Sequence, residues 1–282
     1  MSLPVAVVTG TNSGLGLALS VLLGKTHQVY AGMRSVSKKD ALVEAASKAG
    51  VEKNIKVMEM DVNSDSSVSK AFEEIEKESG RVDVLVNNAG YSVFGSVEML
   101  PMEKMKEQFE TNLYGVIRCQ KGALPMMRKA KSGKIINISS VGGVWGQPFN
   151  DIYCASKFAL EGLSESQAAL FRTFGVRVTC VEPGAIKSAF FQNAQRPDMS
   201  SLPAEYLKPI QSTIAAYQSS ESVGQTPEEL AAIIVEKVVE AADPPLRLQT
   251  NPTIQSVFEM QLKNPSGEPG VTAGASRFLK DV

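Results

Sequence analysis

Tyr153 and Lys157 stand four residues apart in "FNDIYCASKFALEG", residues 149–162. At that spacing two side chains share one face of a helix. A tyrosine ordinarily ionises near pH 10, too high for an acid/base at neutral pH. Lowering that value by about three units takes roughly 4 kcal/mol of differential stabilisation, and a nearby cation is one source of it. Such pairs are also common on ordinary amphipathic helices, so the spacing alone decides nothing. Its company matters more. Ser140 closes the β-branched run "GKIINISS" thirteen residues before Tyr153. A hydroxyl at the end of a strand lies on the edge where open α/β sheets bind ligands. "NNAG" (87–90) ends another strand on the same edge.

A second motif, "TGTNSGLG" from Thr9 to Gly16, follows a strand and opens a helix. Gly10, Gly14 and Gly16 let the chain turn tightly and approach a pyrophosphate at a helix N-terminus. Thr11, Asn12, Ser13 and Leu15 complete the loop. Its spacing is G-x-x-x-G-x-G rather than G-x-G-x-x-G, and taken alone the loop is equally a plain strand-to-helix turn. At the end of the second strand an acid would hold a ribose 2′-hydroxyl, whereas an arginine accepts a 2′-phosphate. Here Met33 stands where an acid could be, Arg34 and Ser35 follow, and the first acid is Asp40. The expected cofactor is therefore NADP(H), and Met33→Asp is expected to move preference toward NAD.

Stepping outward, short β-branched runs alternate with helix-period segments along all 282 residues. Strands are expected at 5–10, 27–33, 55–62, 82–90, 133–140 and 176–184, with a short one near 246–250. Helices are expected at 14–25, 37–49, 64–80, 102–130, 151–173 and 227–242. Near-continuous apolar strands alternating with helices indicate an α/β fold: a Rossmann-like, doubly wound parallel sheet of about seven strands with helices on both faces. One domain over 1–282 is expected. Residues 185–226, rich in Ser, Gln and Pro without a clean period, form an insert that reads as a substrate lid.

Composition narrows the function classes. Hydrophobic residues are 43%, charged residues 21%, and the net charge is -1, so no nucleic-acid partner is expected. Three scattered cysteines and one histidine, His27, make neither a metal site nor a disulfide framework. No apolar run reaches the length of a membrane span, and "MSLPVAVVTG" lacks the basic start of a secretory leader. A cytoplasmic setting is expected, with peripheral membrane contact left open.

Taken together, "TGTNSGLG", "DV" at 61–62, "NNAG", Asn112 in "TNLYG", Ser140, "YCASK" at 153–157 and "PG" at 183–184 resemble the short-chain dehydrogenase/reductase family in order and spacing. The resemblance spans nearly the whole chain. It implies that Tyr153 donates or accepts the proton, that Lys157 binds the nicotinamide ribose and lowers the tyrosine pKa, and that Ser140 holds the substrate oxygen. Asn112 would anchor a water in a proton relay. Asp61 and Val62 would meet the adenine, and Asn88, Ala89 and Gly90 would line the ribose side. Pro183, Gly184 and Ile186 would join the cofactor site, and Ser188, where the family often has threonine, would touch the carboxamide. The long helices at 102–130 and 151–173 imply a homodimer.

Within the family, "SVGGVWGQPFNDIYCASKFALEGLSES" is similar to the branch of 17β-hydroxysteroid and photoreceptor-type retinol dehydrogenases, which implies a small apolar alcohol or carbonyl substrate. Val141, Gly142, Phe149, Asn150 and Phe190, with Ser140 and Tyr153, are the expected substrate contacts. No second histidine exists to clamp a steroid oxygen, which favours a retinoid. Two other readings stand beside this one: a broad carbonyl or β-ketoacyl reductase, and a non-catalytic NADP-binding sensor.

Overall fold

The computed structural model describes residues 2–280, so Met1, Asp281 and Val282 of the expected 1–282 unit lie outside the described residues. Seven strands form one parallel sheet: β1 (Val5–Thr9), β2 (Gln28–Met33), β3 (Ile55–Glu59), β4 (Val84–Asn87), β5 (Gly133–Ile138), β6 (Val176–Glu182) and β7 (Arg247–Gln249), in the order β3-β2-β1-β4-β5-β6-β7. The central strands β1 and β4 are buried along their whole length, as their unbroken Val, Leu and Ala runs require.

Helices cover both faces. On one side α3 (Asp65–Ser79), α5 (Gly115–Ala130) and α6 (Asp151–Arg172) close a core of Phe72, Ile75, Cys119, Met127, Leu85 and Ile135. On the other, α1 (Gly14–Leu23), α2 (Asp40–Lys48) and α8 (Pro227–Ile234) pack Leu19, Leu42 and Ile234 on Val8, Val86 and Ile136. Local chemistry sets the helix limits. Ser64 Oγ accepts from the Ser67 amide at the start of α3, and Gly80 ends it at φ 66°. Thr226 and Glu229 form a reciprocal cap at the start of α8 with Pro227 first in the helix.

Three segments differ from expectation. Residues 102–130 are helical as expected, but α4 (Met102–Phe109) runs into α5 through a π turn at Glu110–Tyr114. Residues 185–226, which show no clean period, contain the 19-residue helix α7 (Ala204–Ser222). Its serines and an internal Pro209 blur the helical signature. The chain ends in two helices that periodicity did not expose, α9 (Pro252–Leu262) and α10 (Glu268–Phe278). Among the described residues no helix is long and apolar enough to cross a membrane.

Candidate active site

The strand order reverses between β1 and β4, so a crevice opens at their C-terminal ends. The glycine loop leaves β1 there. Gly10 has φ 70°, a conformation open to glycine, and a Cβ on Gly16 would lie 2.3 Å from the Gly10 carbonyl oxygen. Asn88, just past β4, braces the loop: its Nδ2 donates to the carbonyls of Thr9 (2.9 Å) and Gly10 (3.0 Å). Thr9 Oγ1 in turn accepts from the amides of Asn88 and Ala89, both at 3.0 Å. Thr11 ties the loop to Gly32 of β2. The first amides of α1 have no acceptor within the helix and point into the crevice mouth, where an anion is favoured.

The side chains of Ser140, Tyr153 and Lys157 sit beside this crevice. Ser140 follows β5, and its hydroxyl accepts from the Gly142 amide at 3.0 Å. Tyr153 and Lys157 lie on α6, with the lysine Nζ 5.7 Å from the tyrosine ring centre. Lys157 Nζ donates to the Ile138 carbonyl at 2.7 Å. Burial pushes the Tyr153 phenol up to about 12, while its hydrogen bond with Ser140 pulls the other way. Burial also lowers Lys157 to about 8, opposed by the nearby Cys180 and Glu161. Each group is thus driven toward its neutral form.

Asn112 occupies the π turn between α4 and α5 and is fully buried. Its Nδ2 donates to the Tyr91 carbonyl (3.0 Å) and to Ser156 Oγ (3.2 Å), and its Oδ1 accepts from the Tyr91 amide (3.2 Å). The π turn delivers this amide to both α6 and the segment after β4. π turns of this kind recur at functional sites.

The sequence profile for the short chain dehydrogenase family matches residues 4–199. This chain belongs to the short chain dehydrogenase family. It is 36% identical to "Retinol dehydrogenase 8" of Bos taurus over 93% of this chain and 86% of the relative. It is 35% identical to "17-beta-hydroxysteroid dehydrogenase type 1" of Homo sapiens, over 100% of this chain and 88% of that one. A bacterial relative, "3-ketodihydrosphingosine reductase" of Bacteroides thetaiotaomicron, shares 35% identity over 90% of each chain. Among solved structures, a short-chain dehydrogenase from Streptomyces avermitilis superposes with a TM-score of 0.83 at 30% identity, covering 98% of both chains. ElxO with NADP bound superposes at 0.75 and 27% identity over 90% of this chain and 99% of that one. The protein is thus an oxidoreductase of the short-chain alcohol dehydrogenase type.

The remaining expected residues of this short chain dehydrogenase fall into three groups. Arg34 and Ser35 are exposed just beyond β2, whereas Met33 is buried in the core. Asp61 and Val62 follow β3, and Val62 packs against α5 with its side chain at Gly115 and its carbonyl accepting from Arg118 Nη1 at 3.2 Å. Gly90 abuts Asn112 Oδ1. After β6, Pro183, Gly184 and Ile186 lead to Ser188, whose Cβ passes within about 4.0 Å of the position a Gly14 Cβ would take. That segment therefore lies over the glycine loop.

The expected substrate contacts divide. Gly142 touches both Tyr153 and Ser140, with Val141 beside it half-buried. Phe190 is 41% exposed and stands edge-on to the Tyr153 ring, centres 5.9 Å apart. Phe149 and Asn150 are buried instead. Phe149, at φ 60°, joins Phe94, Tyr206 and Ile210 in an aromatic cluster, and Asn150 is hydrogen-bonded to Ser92 and Tyr217. Phe94, Tyr206 and Tyr217, which complete this cluster with Phe191, are far apart in sequence, and no local pattern marks them. His27 sits at the opposite end of the sheet, before β2.

Proposed function

We propose that this dehydrogenase interconverts a ketone or aldehyde and an alcohol on an apolar substrate, with NADP(H) as redox partner and Tyr153 as acid/base. The observation that carries the reading is the meeting of Ser140, Tyr153 and Lys157 beside the glycine loop, with Phe190 across the Tyr153 ring. The cofactor fits this chain's own residues. The cradle at Gly10 and Gly16 has no room for side chains, the N-terminus of α1 favours a pyrophosphate, and Arg34 stands exposed where a 2′-phosphate needs a cation. NADP bound to ElxO, a relative in fold, supports the same reading. When bound, the nicotinamide supplies or takes up the hydride.

The chain's residues handle the oxygen and its proton. Ser140 Oγ and the Tyr153 phenol together hold the substrate oxygen. In reduction Tyr153 gives its proton to that oxygen as the carbonyl becomes an alcohol; oxidation reverses the transfer. Burial keeps the phenol protonated at neutral pH, the form that reduction consumes. Lys157, as an ammonium, orients the ribose and offsets the high tyrosine pKa. Asn112 would anchor the relay that returns a proton to the lysine. Residues 1–282 serve as one dinucleotide-binding unit, and 185–226 acts as the lid, since it carries Phe190 to Tyr153. Two copies pair through the α4–α6 side, where Tyr114, Phe158 and Leu170 are exposed.

Tyr153→Phe tests the chemistry: turnover should drop by about 10²–10⁴-fold with NADPH binding intact, and an active variant sinks the mechanism. NADPH oxidation with all-trans-retinal, estrone and a short β-keto thioester, side by side, tests the substrate class. Preference for retinal or estrone supports the apolar assignment. Preference for the thioester favours the broader reductase, a reading the 3-ketodihydrosphingosine reductase relative also supports.

A further inference from the structure

Beneath Lys157, one turn further along the same face of α6, lies Glu161, and across from it on β6 lies Glu182. Both carboxyls are buried, Glu182 completely and Glu161 at 4% exposure. A single nitrogen of Arg247 on β7, Nη1, is 3.5 Å from Glu161 Oε2 and 3.7 Å from Glu182 Oε1. Two carboxyls so close to one atom are close to each other, and the Glu161 carboxyl is among the groups that raise the pKa of Glu182, behind burial. Arg247 is divided further, since its Nη2 bonds the exposed Glu165 at 3.0 Å. Gln249 Nε2 donates to the other oxygen of Glu182.

Oxygen Oε1 of Glu161 and Oε1 of Glu182 are both buried without a hydrogen-bond partner, as is Ser139 Oγ. Two ionised carboxylates in this position would repel each other with one shared guanidinium to offset them. One proton placed between them removes the repulsion and supplies the missing donor. The other groups facing the pair are Lys157 and Glu165 on α6, Cys180 on β6 and Arg247 on β7.

The pair is also joined to the catalytic loop. A Cβ on Gly143 would come within 2.8 Å of Ser139 Oγ and 3.1 Å of Glu161 Oε1. Glu161 therefore packs directly under the turn Val141–Gly143 that follows Ser140. We propose that Glu161 and Glu182 hold one proton between them, fixing a single negative charge beneath Lys157 that keeps this lysine an ammonium. They are positioning residues. The inference rests on the reading of Lys157 as the residue that holds the cofactor ribose.

Two measurements on the full chain test it. Infrared difference spectra of wild type against E161Q, E182Q and E161Q/E182Q at neutral pH read the proton directly. The expected result is one protonated-carboxyl C=O band in the wild type, lost in either single variant, because the surviving glutamate then ionises beside Arg247. Absence of that band in the wild type overturns the shared proton, whatever the enzyme turns over. The second is the pH dependence of NADPH affinity above neutrality, followed by NADPH fluorescence. Each single variant retains one negative charge and should lose affinity at the same pH as the wild type. The double variant should lose it about one pH unit lower. Equal shifts in a single and the double variant, or no shift in the double, overturn the link to Lys157. Neither result depends on which carbonyl is the substrate.

Discussion

At the scale of the residue, burial in the site works against the charged forms of Tyr153 and Lys157. Lys157 illustrates the sign. Its pKa falls from 10.5 to about 8 because burial disfavours the ammonium. The penalty is therefore complete below pH 8 and is relieved as pH rises from about 8 through 10.5. A shift of this size corresponds to roughly 3 kcal/mol. Lys157→Met removes the penalty. The stability of the variant relative to the wild type should be most favourable near pH 7 and should decline between pH 8 and 10.5. Urea titrations across that range check it, and a pH-independent difference would refute the desolvation account. Arg34 carries a second prediction. Because its guanidinium is exposed at the end of β2, Arg34→Ala should weaken NADPH binding about tenfold or more and leave NADH binding nearly unchanged. It is a cleaner probe than Met33→Asp, because Met33 is 2% exposed and an aspartate there would bring a carboxylate into the core. Equal losses for both cofactors would remove Arg34 from the 2′-phosphate site.

At the scale of the element, what matters is how strand ends are tied to one another. Asn88 connects β4 to the glycine loop through the carbonyls of Thr9 and Gly10. Asn88→Ala should therefore raise the KM for NADPH with a smaller effect on kcat, and should lower stability by about 1–3 kcal/mol. Steady-state kinetics and a melt on one preparation check both. Much of this scale was legible in advance. Strands β1 to β6 announce themselves as β-branched runs, and the proposed tyrosine, lysine and serine lie after β5 and in the first two turns of α6, where short motifs carry meaning. The π turn at Asn112 was not legible, since Met, Phe and Leu at helical steps continue through it and its one visible cause is a tertiary contact, the tie to Tyr91. Nor was the Glu161–Glu182 contact. "FALEG" reads as an ordinary helix with a solvated acid, and burial of that acid depends on β6 and β7 lying across from it. Helix α7 was hidden for a different reason: its apolar face is short and its partners, α10 and the Phe94 cluster, lie elsewhere in the sequence.

At the scale of the whole molecule, the proposed pairing of two copies can be tested at one apolar surface. Tyr114, Phe158 and Leu170 are about half exposed on the α4–α6 side. Light scattering should give a mass of twice 30.2 kDa, and Phe158→Glu should shift the species toward the monomer by placing a charge in the apolar contact. A wild-type monomer at micromolar concentration would count against the pairing. The C-terminal helices reach the turn between β5 and α6. Trp145, five residues after Ser140, donates its indole N–H to the Gly270 carbonyl at 2.9 Å and packs at a tilt against Phe278 of α10, ring centres 5.8 Å apart. It is the sole tryptophan of the chain. The protein thus carries an intrinsic optical gauge: the emission colour of one indole reports whether the tail is seated against the catalytic loop, without any label, in the same cuvette that follows the cofactor.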